Sequence, residues 1–404
     1  MRLPIENAST VMHLIPVIGR RSFGFGPVAV NLSLHQSLRG WAARIWCTER
    51  EDEIDWVATN YGISPKLVRR FKTVGPKFLE YAPRMEKVAA GPEGQGIAVL
   101  HQHGVWTILS HVTVRWRKAH RKPTVIAAHG SLDDYALRRS QWKKWLALAV
   151  YERDNLRSAT CLHALSETEL ANYREFGLRN PVAIIPNGIS ESWLDARSDP
   201  AAFRRRFALL AESRILLYVS RITPKKGLPM LIEALHRVRD LPGLWCLVIA
   251  GVDQFEHESE VRSLVERLGL NRWVVFAGPI FGQEKRDAFA AADIFVLPSH
   301  SEGAPLVILE ALGAGVPVLT TKASPWRQLV TRDCGWWTET SADAIEAALR
   351  DALSRPSREL VEMGRRGREL VRGEYTWTKM ADRTIELYEW LLGQRSQPSF
   401  VVLN

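Results

Sequence analysis

The chain has 404 residues, of which 46% are hydrophobic and 24% are charged, a composition that excludes an intrinsically disordered protein. This length exceeds that of one ordinary domain and predicts two domains with a cleft between them. The net charge of +10 predicts a surface that attracts anions, and charge alone leaves nucleotide phosphates, nucleic acid and an acidic lipid surface open as partners.

The cysteines and the apolar stretches favour a cytoplasmic location. Cys47, Cys161, Cys246 and Cys334 form no CxxC pair, and the first residues contain no secretory signal pattern, so we expect reduced thiols. No window reaches the roughly 18 uninterrupted apolar residues of a membrane-spanning helix. We therefore expect any membrane contact to be peripheral, on the inner face of the cytoplasmic membrane.

Short apolar stretches alternate with longer amphipathic ones, which predicts two parallel α/β domains. The strands predicted for the first domain are Val11–Val17, Ala42–Cys47, Ala98–His101, Thr124–Ala128, Thr160–Ala164 and Ala183–Ile185. Those predicted for the second are Ile215–Val219, Trp245–Ala250, Trp273–Ala277, Ile294–Leu297 and Val316–Thr320.

The polar stretch Ser192–Pro200, which contains turn residues, predicts the boundary between these domains. The domains then cover residues 1–195 and 196–376. Residues 377–404 form a last helix, about Trp377–Leu392, which we expect to pack back on the first domain, followed by a short polar tail.

Glycines and histidines follow the predicted strands of the first domain. Gly24 and Gly26 precede a helical pattern, where glycine permits close approach of a phosphate or a sugar. His129 directly follows a strand, and its position fits either a structural or a catalytic residue. His101 and His103 could ligate a metal, but no further cysteine or carboxylate cluster completes a site, so we predict no metal.

Tryptophans and cations are interleaved in two runs, Arg115–Lys122 and Arg138–Trp145. This pattern suits an anionic membrane surface, where indole rings lie at headgroup level. The same pattern also suits a solvated helix whose tryptophans pack inward. The sequence leaves both interpretations open.

In the second domain, cations and a helix start follow two strands. Arg221 and Lys226 lie in a turn after a strand, where they could clamp two phosphates. Another strand ends shortly before Pro305, a residue suited to the first position of a helix. The backbone amides of Gly303, Ala304 and Leu306 would then face a bound anion.

Glu310 lies in the otherwise apolar helical stretch Leu306–Leu312. An unpaired carboxylate there would cost several kcal/mol or change its pKa, so it needs a partner. Two ribose hydroxyls would serve, and so would solvent or a salt bridge.

Three segments resemble the donor site of the family 4 retaining glycosyltransferases: SRITPKKGLPMLIEAL, ADIFVLPSHSEG and SEGAPLVILEALGAGVPV, the last with seven residues between Glu302 and Glu310. The resemblance implies the GT-B fold, two facing Rossmann-like domains with a cleft between them. It also implies that Arg221 and Lys226 stabilise a leaving diphosphate, that Glu310 holds the ribose and that Glu302 contacts the donor sugar.

The same resemblance implies further contacts. Residues 303–306, which are Gly303, Ala304, Pro305 and Leu306, would lie against the phosphates. The backbone of Pro279 and Ile280 would contact the base of the nucleotide. Gly24 and Gly26 would contribute to the acceptor side and the donor phosphates, and His129 would reach the transferred sugar. The family often has His-Asp where this chain has His129-Gly130, with Asp133 and Asp134 displaced along the chain.

The segments around His103 and His129 look most like bacterial enzymes that build cell-surface polysaccharides. The resemblance implies transfer from a UDP or GDP sugar, with no cofactor or metal required, to a polyprenyl-linked glycan in exopolysaccharide, capsule or lipopolysaccharide synthesis. A sugar phosphorylase or sugar-nucleotide epimerase of the same fold is the alternative among enzymes. A basic nucleic-acid-binding protein is the alternative from another class, although we expect no nucleic acid partner.

Overall fold

The computed structural model describes residues 9–18, 25–48, 64, 67–75, 80–138, 141–195, 197–241 and 243–403. The chain divides into an N-terminal unit, Met1–Gly188 with Trp377–Asn404, and a C-terminal unit, Ile189–Thr376. Residues 189–195, which the sequence assigns to the first domain, belong to the C-terminal unit. The reason is that the Ile189 N–H donates to the Tyr375 carbonyl at 2.8 Å, and the Trp193 indole donates to the Glu310 carbonyl at 2.9 Å.

The N-terminal unit contains an eight-stranded sheet in the order β14-β7-β6-β5-β4-β1-β2-β3. Its strands are β1 (Thr10–Ile15), β2 (Ala42–Thr48), β3 (Val68–Phe71), β4 (Val99–His103), β5 (Thr124–Ala127), β6 (Cys161–Ala164), β7 (Val182–Ile184) and β14 (Val401–Val402). All neighbours are parallel except β14, which pairs antiparallel with β7. The six predicted strands are all present, with small differences at their ends.

Two strands of this sheet have no counterpart in the sequence analysis. β3 carries two arginines on a sheet edge and lacks an apolar run. β14 has two residues within the tail that the sequence describes as polar, and its Val401 is buried. The tail is therefore part of the sheet, because its backbone extends the hydrogen bonding of β7.

The C-terminal unit contains a six-stranded, wholly parallel sheet in the order β10-β9-β8-β11-β12-β13. Its strands are β8 (Arg214–Val219), β9 (Trp245–Ala250), β10 (Val274–Gly278), β11 (Ile294–Leu297), β12 (Val318–Thr321) and β13 (Gly335–Thr338). The first five correspond to the predicted strands. The sequence missed β13, a half-buried edge strand of four residues.

The helices flank these sheets. Those of the N-terminal unit before Gly188 are α1 (Phe25–Leu38), α2 (Pro83–Ala90), α3 (Pro92–Gln95), α4 (Leu109–His120), α5 (Asp134–Arg138), α6 (Gln141–Ala147), α7 (Arg153–Arg157) and α8 (Glu167–Glu175). Those of the C-terminal unit are α9 (Glu191–Leu194), α10 (Pro200–Arg206), α11 (Leu228–Arg237), α12 (His257–Arg267), α13 (Gly282–Ala291), α14 (Leu306–Gly313), α15 (Gln328–Thr331), α16 (Ala342–Ser354) and α17 (Ser357–Glu374). The last helix, α18 (Trp377–Leu391), belongs to the N-terminal unit. No helix among the described residues is long and apolar enough to cross a membrane.

Both sheets have the Rossmann strand order, in which the chain first adds strands on one side of a central strand and then on the other. The direction reverses between β1 and β4 in the first sheet and between β8 and β11 in the second. Ligands of such sheets bind outside the carboxyl ends of the strands at these reversal points. The topology therefore selects two places where function is expected.

The core of the N-terminal unit contains a cluster of histidines at its reversal point. The cluster consists of His13 on β1, His101 and His103 on β4, His129 after β5 and His163 on β6. His129 is half-buried and the other four are buried. Burial lowers the pKa of His13 and of His163 to about 4 and that of His129 to about 3, and it lowers the pKa of His101 and His103 well below the usual value.

These shifts predict an acid-labile fold. Between about pH 6.5 and about pH 4 the unfolded chain binds protons that the folded histidines do not, so the free energy of unfolding falls as the pH is lowered through this window. Each histidine contributes about 1.4 kcal/mol per pH unit. Two buried carboxyls, Glu152 and Glu169, have pKa values raised by burial and act in the opposite direction, but the five histidines outnumber them.

Urea denaturation at a series of pH values from about 7.5 to 5 measures this slope. The variant His163→Gln, which removes one titrating ring, should show a shallower slope than the unmodified chain. A free energy of unfolding that stays constant over this range would contradict the prediction.

Candidate functional site

At the reversal point of the C-terminal sheet, the loop after β8 contacts the loop after β11. The His300 N–H donates to the Lys225 carbonyl at 2.8 Å. Gly227 has a φ of +70°, and a Cβ atom there would lie 2.0 Å from the Pro298 carbonyl oxygen. Only glycine permits this approach, which brings together two segments that lie far apart in the sequence.

Lys226 and Glu302, both predicted site residues, form a buried ion pair between these loops. The Lys226 Nζ atom lies 2.5 Å from Glu302 Oε1, and the side chain of each residue is only 9% exposed. The Ser299 hydroxyl donates to the same carboxylate oxygen at 2.5 Å, and the Glu302 N–H donates to the Ala323 carbonyl at 3.0 Å. Because desolvation offsets most of the Coulomb energy of a buried pair, stability alone does not account for this arrangement.

Arg221 lies in the turn that follows β8, as predicted. Its guanidinium donates to Gln254 Oε1 at 3.0 Å, and its carbonyl accepts a hydrogen bond from the buried Tyr218 hydroxyl at 2.8 Å. The pKa of Tyr218 is raised by burial and, to a smaller extent, by the negative charge of Glu302. Arg221 therefore belongs to the same loop as Lys226 and has a fixed backbone.

Helix α14 begins at Leu306, directly after this ion pair in the chain. Its first amides have no partner within the helix, which leaves them and the helix dipole available to an anion. Pro305 precedes the helix with extended backbone angles, so it is not the first helical residue that the sequence predicts. It has no N–H and cannot donate to a phosphate, whereas Gly303, Ala304 and Leu306 each have one.

Glu310 has a cationic partner that the sequence analysis did not identify. Its Oε2 atom lies 2.6 Å from the Nζ atom of Lys285 on α13, and both side chains are about one-fifth exposed. A salt bridge was one of the partners that the sequence left open for this carboxylate. Nothing in the sequence pattern singles out Lys285, because it lies on a different helix and in an ordinary polar stretch.

Pro279 and Ile280 follow the carboxyl end of β10. Pro279 is exposed, whereas the Ile280 side chain packs in the core of the C-terminal unit. Only the backbone of Ile280 can therefore meet a ligand, as the predicted contact with a base requires.

In the N-terminal unit, the predicted glycine loop is only partly described. Gly24 lies outside the described residues. Gly26 does not precede the helix, as the sequence predicts, but lies within the first turn of α1. The adjacent Pro27 explains this difference, because its fixed φ suits a first helical turn.

His129 combines an unusual backbone with a hydrogen-bonded ring. Its φ is +52°, a conformation that costs a non-glycine residue about 1 kcal/mol or more and that is concentrated at functional sites. The His129 Nε2 atom lies 3.0 Å from His103 Nδ1. The structure thus links this predicted site residue to the buried cluster.

His101 and His103 were predicted to lack the further ligands of a metal site. In the structure, His13 from β1 joins them, and one ring nitrogen from each of the three residues lies within 4.8 Å of the others. The sequence analysis missed His13 and His163 because each is a single histidine in an apolar strand. Only the alignment of neighbouring strands shows that they meet.

Comparison with known proteins identifies two glycosyltransferase family models in the chain. The family model described as glycosyl transferases group 1 matches residues 201–370, and the glycosyl transferase 4-like domain model matches residues 23–188. The two models together account for most of the chain.

Curated relatives are similar over part of the chain. A D-inositol 3-phosphate glycosyltransferase of Kineococcus radiotolerans is 29% identical over 53% of this chain and 53% of its own length. A GDP-mannose-dependent alpha-(1-6)-phosphatidylinositol dimannoside mannosyltransferase of Mycobacterium tuberculosis is 27% identical over 66% of this chain and 68% of its own length. The chain therefore spans about half the length of the first of these relatives.

The similarity to solved structures extends over nearly the whole chain. The structure of Anabaena HepE in complex with UDP and glucose has a TM-score of 0.75 and 18% identity, and it covers 95% of this chain and 100% of that chain. At this identity the match shows the fold. Residues 201–370 therefore belong to the glycosyl transferases group 1 family, residues 23–188 match the glycosyl transferase 4-like domain, and the chain has the predicted GT-B fold with two Rossmann-like sheets.

Proposed function

We propose that this protein is a retaining glycosyltransferase that moves a sugar from a nucleoside diphosphate sugar to an acceptor hydroxyl. The observation that carries the proposal is the buried Lys226–Glu302 pair beside the start of α14, at the reversal point of the C-terminal sheet. An ion pair, a second cation in Arg221 and a helix start supply the charges that a sugar diphosphate requires.

Departure of the nucleotide develops negative charge on its diphosphate. Lys226, Arg221 and the amides of Gly303 and Leu306 meet this charge from fixed positions, so little reorganisation accompanies the reaction. Because these groups are cations and N–H donors, the proposal requires no metal or other cofactor. Glu302 accepts hydrogen bonds from hydroxyls of the donor sugar and shares Lys226 with the diphosphate.

The nucleoside is held by the carboxylate of Glu310, which accepts hydrogen bonds from the ribose hydroxyls, and by the backbone at Pro279 and Ile280. In this assignment Lys285 is the counterion of the Glu310 carboxylate, with its Nζ atom 2.6 Å from Oε2, and does not itself contact the ribose. Similar proteins support both donor classes, since one relative is named as GDP-mannose-dependent and HepE was solved with UDP and glucose.

A thermal-shift panel of UDP, GDP and ADP sugars tests the donor site, because a ligand that binds only the folded chain raises the melting temperature. We expect one nucleotide class to produce a shift. Glu310→Ala should raise the dissociation constant about 10- to 100-fold, since hydrogen bonds to a charged group contribute about 1.5–3 kcal/mol.

Lys285→Ala is the matched control, because it breaks the same ion pair but keeps the carboxylate. It should retain most of the shift. Equal losses in both variants would contradict a ribose contact and attribute the effect to the ion pair. Salt-sensitive binding to DNA without any shift by a nucleotide sugar would favour the nucleic-acid-binding alternative.

Turnover tests the role of Lys226. Lys226→Ala should reduce kcat by about 10²- to 10³-fold, because it removes a donor aimed at the leaving diphosphate. Release of nucleotide from the donor in the presence of acceptor measures this rate. Lys225→Ala makes the same change of charge one residue earlier and should leave kcat within a few-fold, and melting temperatures separate loss of chemistry from loss of folding. Undiminished turnover in Lys226→Ala would contradict the assignment.

The acceptor is proposed to be a polyprenyl-linked glycan on an anionic membrane, as in exopolysaccharide, capsule or lipopolysaccharide synthesis. The supporting observation is an exposed apolar face of α6 and of the π-helical segment Leu148–Glu152 that follows it. Trp142 is 68% exposed and Trp145 is 71% exposed, and Leu146 and Val150 continue the same helical face. A contiguous exposed apolar face is uncommon on soluble proteins and is typical of interaction surfaces.

The charges around this face favour lipid. Lys143 is exposed in the same helix, and a cation beside interfacial tryptophans meets anionic headgroups, whereas the half-buried Lys144 donates to the Ala136 carbonyl. The other basic run behaves differently, because Trp116 is fully buried and donates from its indole to the Gly94 carbonyl. The two interpretations of these runs therefore apply to different helices, and only the α6 run supports membrane contact.

Vesicle sedimentation tests this surface. We expect the chain to bind vesicles containing phosphatidylglycerol and not vesicles of phosphatidylcholine alone. Replacing both Trp142 and Trp145 with alanine should weaken binding at least about tenfold, because their indoles no longer enter the interface. The variant Phe281→Ala, which removes an exposed aromatic ring from the C-terminal unit, serves as the control. Equal binding by the double variant would contradict the assignment.

A further inference from the structure

The hydrogen bonds of the buried histidine cluster define where each ring carries its proton. One end of the cluster is the Ile185 carbonyl, which lies 2.7 Å from His163 Nε2 and can only accept. His163 therefore carries its proton on Nε2, and its Nδ1 atom accepts from His101 Nε2 at 3.3 Å. His101 Nδ1 then accepts from the Tyr388 hydroxyl at 2.7 Å.

The hydrogen bonds at the other end of the cluster determine where the remaining rings carry their protons. The Thr384 hydroxyl donates to the Ala381 carbonyl at 2.9 Å, so it can only accept from the Gln36 amide nitrogen, which lies 2.9 Å away. This contact determines the orientation of the Gln36 amide. Its oxygen, Oε1, consequently accepts from His13 Nε2 at 2.8 Å.

The same order continues to His129. His13 Nδ1, having no proton, accepts from His103 Nε2 at 2.9 Å. His103 Nδ1 then accepts from His129 Nε2 at 3.0 Å. His129 is thus protonated on Nε2 and unprotonated on Nδ1, and the direction of every bond follows from the two backbone carbonyls at the ends.

Five neutral rings with the same tautomer satisfy all of these hydrogen bonds. A proton added to Nδ1 of His13, His101, His103 or His163 would face another donor, and the lowered pKa values are consistent with neutral rings. A metal ion bound by His13, His101 and His103 would have to displace the proton between His13 and His103. The geometry therefore describes a hydrogen-bonded relay and does not require a cation.

We propose that His103, His13 and Gln36 are positioning residues that hold His129 neutral and protonated on Nε2, so that Nδ1 accepts a hydrogen bond from a hydroxyl of the transferred sugar. This proposal rests on the proposed function and on the expectation, implied by the family resemblance of the sequence, that His129 reaches that sugar. An imidazolium could not accept such a bond. A neutral ring also suits a transition state in which positive charge develops on the sugar, whereas a cation would repel it.

The backbone around His129 shows why such positioning is needed. The residue has a positive φ, and the chain is held on both sides, since Ala128 N–H donates to the Tyr173 hydroxyl at 3.2 Å and Gly130 N–H donates to Glu169 Oε1 at 2.7 Å. These bonds fix the backbone but not the protonation of the ring. The relay supplies that second constraint, and it is anchored on α1 through Gln36 and on α18 through Thr384.

Long-range proton–nitrogen NMR of the full chain, labelled with ¹⁵N-histidine, reads the tautomer of each ring directly. We expect His129, His103 and His13 to be neutral and protonated on Nε2 at neutral pH. Single histidine substitutions assign the resonances among the 11 histidines of the chain. A charged His129, or one protonated on Nδ1, would overturn the proposal, as would a metal bound by His13 and His103 in the purified protein.

Two substitutions of one residue separate positioning from packing. His103→Asn can place its side-chain oxygen where Nδ1 lies and keep the acceptor for His129, whereas His103→Leu cannot. We expect His103→Asn to preserve the tautomer of His129 and most of kcat. His103→Leu should give a mixture of tautomers and lower kcat about 10- to 100-fold, as loss of an outer hydrogen-bond partner commonly does.

His163→Gln is the matched control, because it disturbs the cluster through His101 and leaves the bonds between His129, His103 and His13 in place. It should keep the His129 tautomer. Equal loss of kcat in His103→Asn and His103→Leu would overturn the relay. If His103→Leu does not fold, the tautomers of the unmodified chain and of His103→Asn still decide the question. Absence of sugar transfer by an unmodified chain with the expected tautomers would contradict the proposed function and not the geometry of the relay.

Discussion

The reversal of strand order among the parallel strands of each sheet is the constraint on which the Lys226–Glu302 pair and the histidine cluster depend. At such a point the connections leave the sheet in opposite directions, so the carboxyl ends of two neighbouring strands are not covered by a shared connection. In the C-terminal sheet this places the loops after β8 and β11 together, with Lys226 on one and Glu302 on the other. In the N-terminal sheet it aligns His13 with His101 on the adjoining strands β1 and β4.

The Lys226–Glu302 pair and the histidine cluster bury polar groups in two different ways. The C-terminal loops pair two charges, which costs desolvation and leaves a cation and an anion ready to exchange partners with a charged ligand. In the proposed relay the histidine cluster contains no charge, and each of its hydrogen bonds has one donor and one acceptor. A charged cluster at β4 would need a counterion, and the polar side chains that close the network, Gln36, Thr384 and Tyr388, are all uncharged.

The sequence predicted the features that depend on local pattern. The two parallel α/β domains follow from strand periodicity, the turn containing Arg221 follows from its local pattern, and the GT-B fold is what the resemblance of three short segments to a known family implies. Pairings between distant segments could not be predicted, because nothing near Glu310 indicates Lys285 and nothing near His103 indicates His13.

The exposure of the tryptophan side chains also could not be predicted from the local sequence pattern. Two runs of interleaved tryptophans and cations look alike in the sequence, yet Trp116 is buried while Trp142 is exposed. The difference arises because α4 packs between β-strand and helix neighbours and its indole finds the Gly94 carbonyl, whereas the indole on α6 has no such enclosure. Composition determines what a helix can bind, and tertiary packing determines which side chains remain available to do so.

Residues 377–404 contribute a helix and a strand to the N-terminal unit. α18 supplies Thr384 and Tyr388 to the histidine network, and β14 extends the sheet beside β7. Without α18, the Gln36 amide lacks the Thr384 hydroxyl that determines its orientation, and His101 Nδ1 lacks its donor, the Tyr388 hydroxyl. Unpaired polar groups in a core are costly, so the network cannot close around residues 1–188 alone. The protonation state proposed for His129 therefore depends on α18, because the network closes only when Thr384 and Tyr388 of this helix pack against Gln36 and His101.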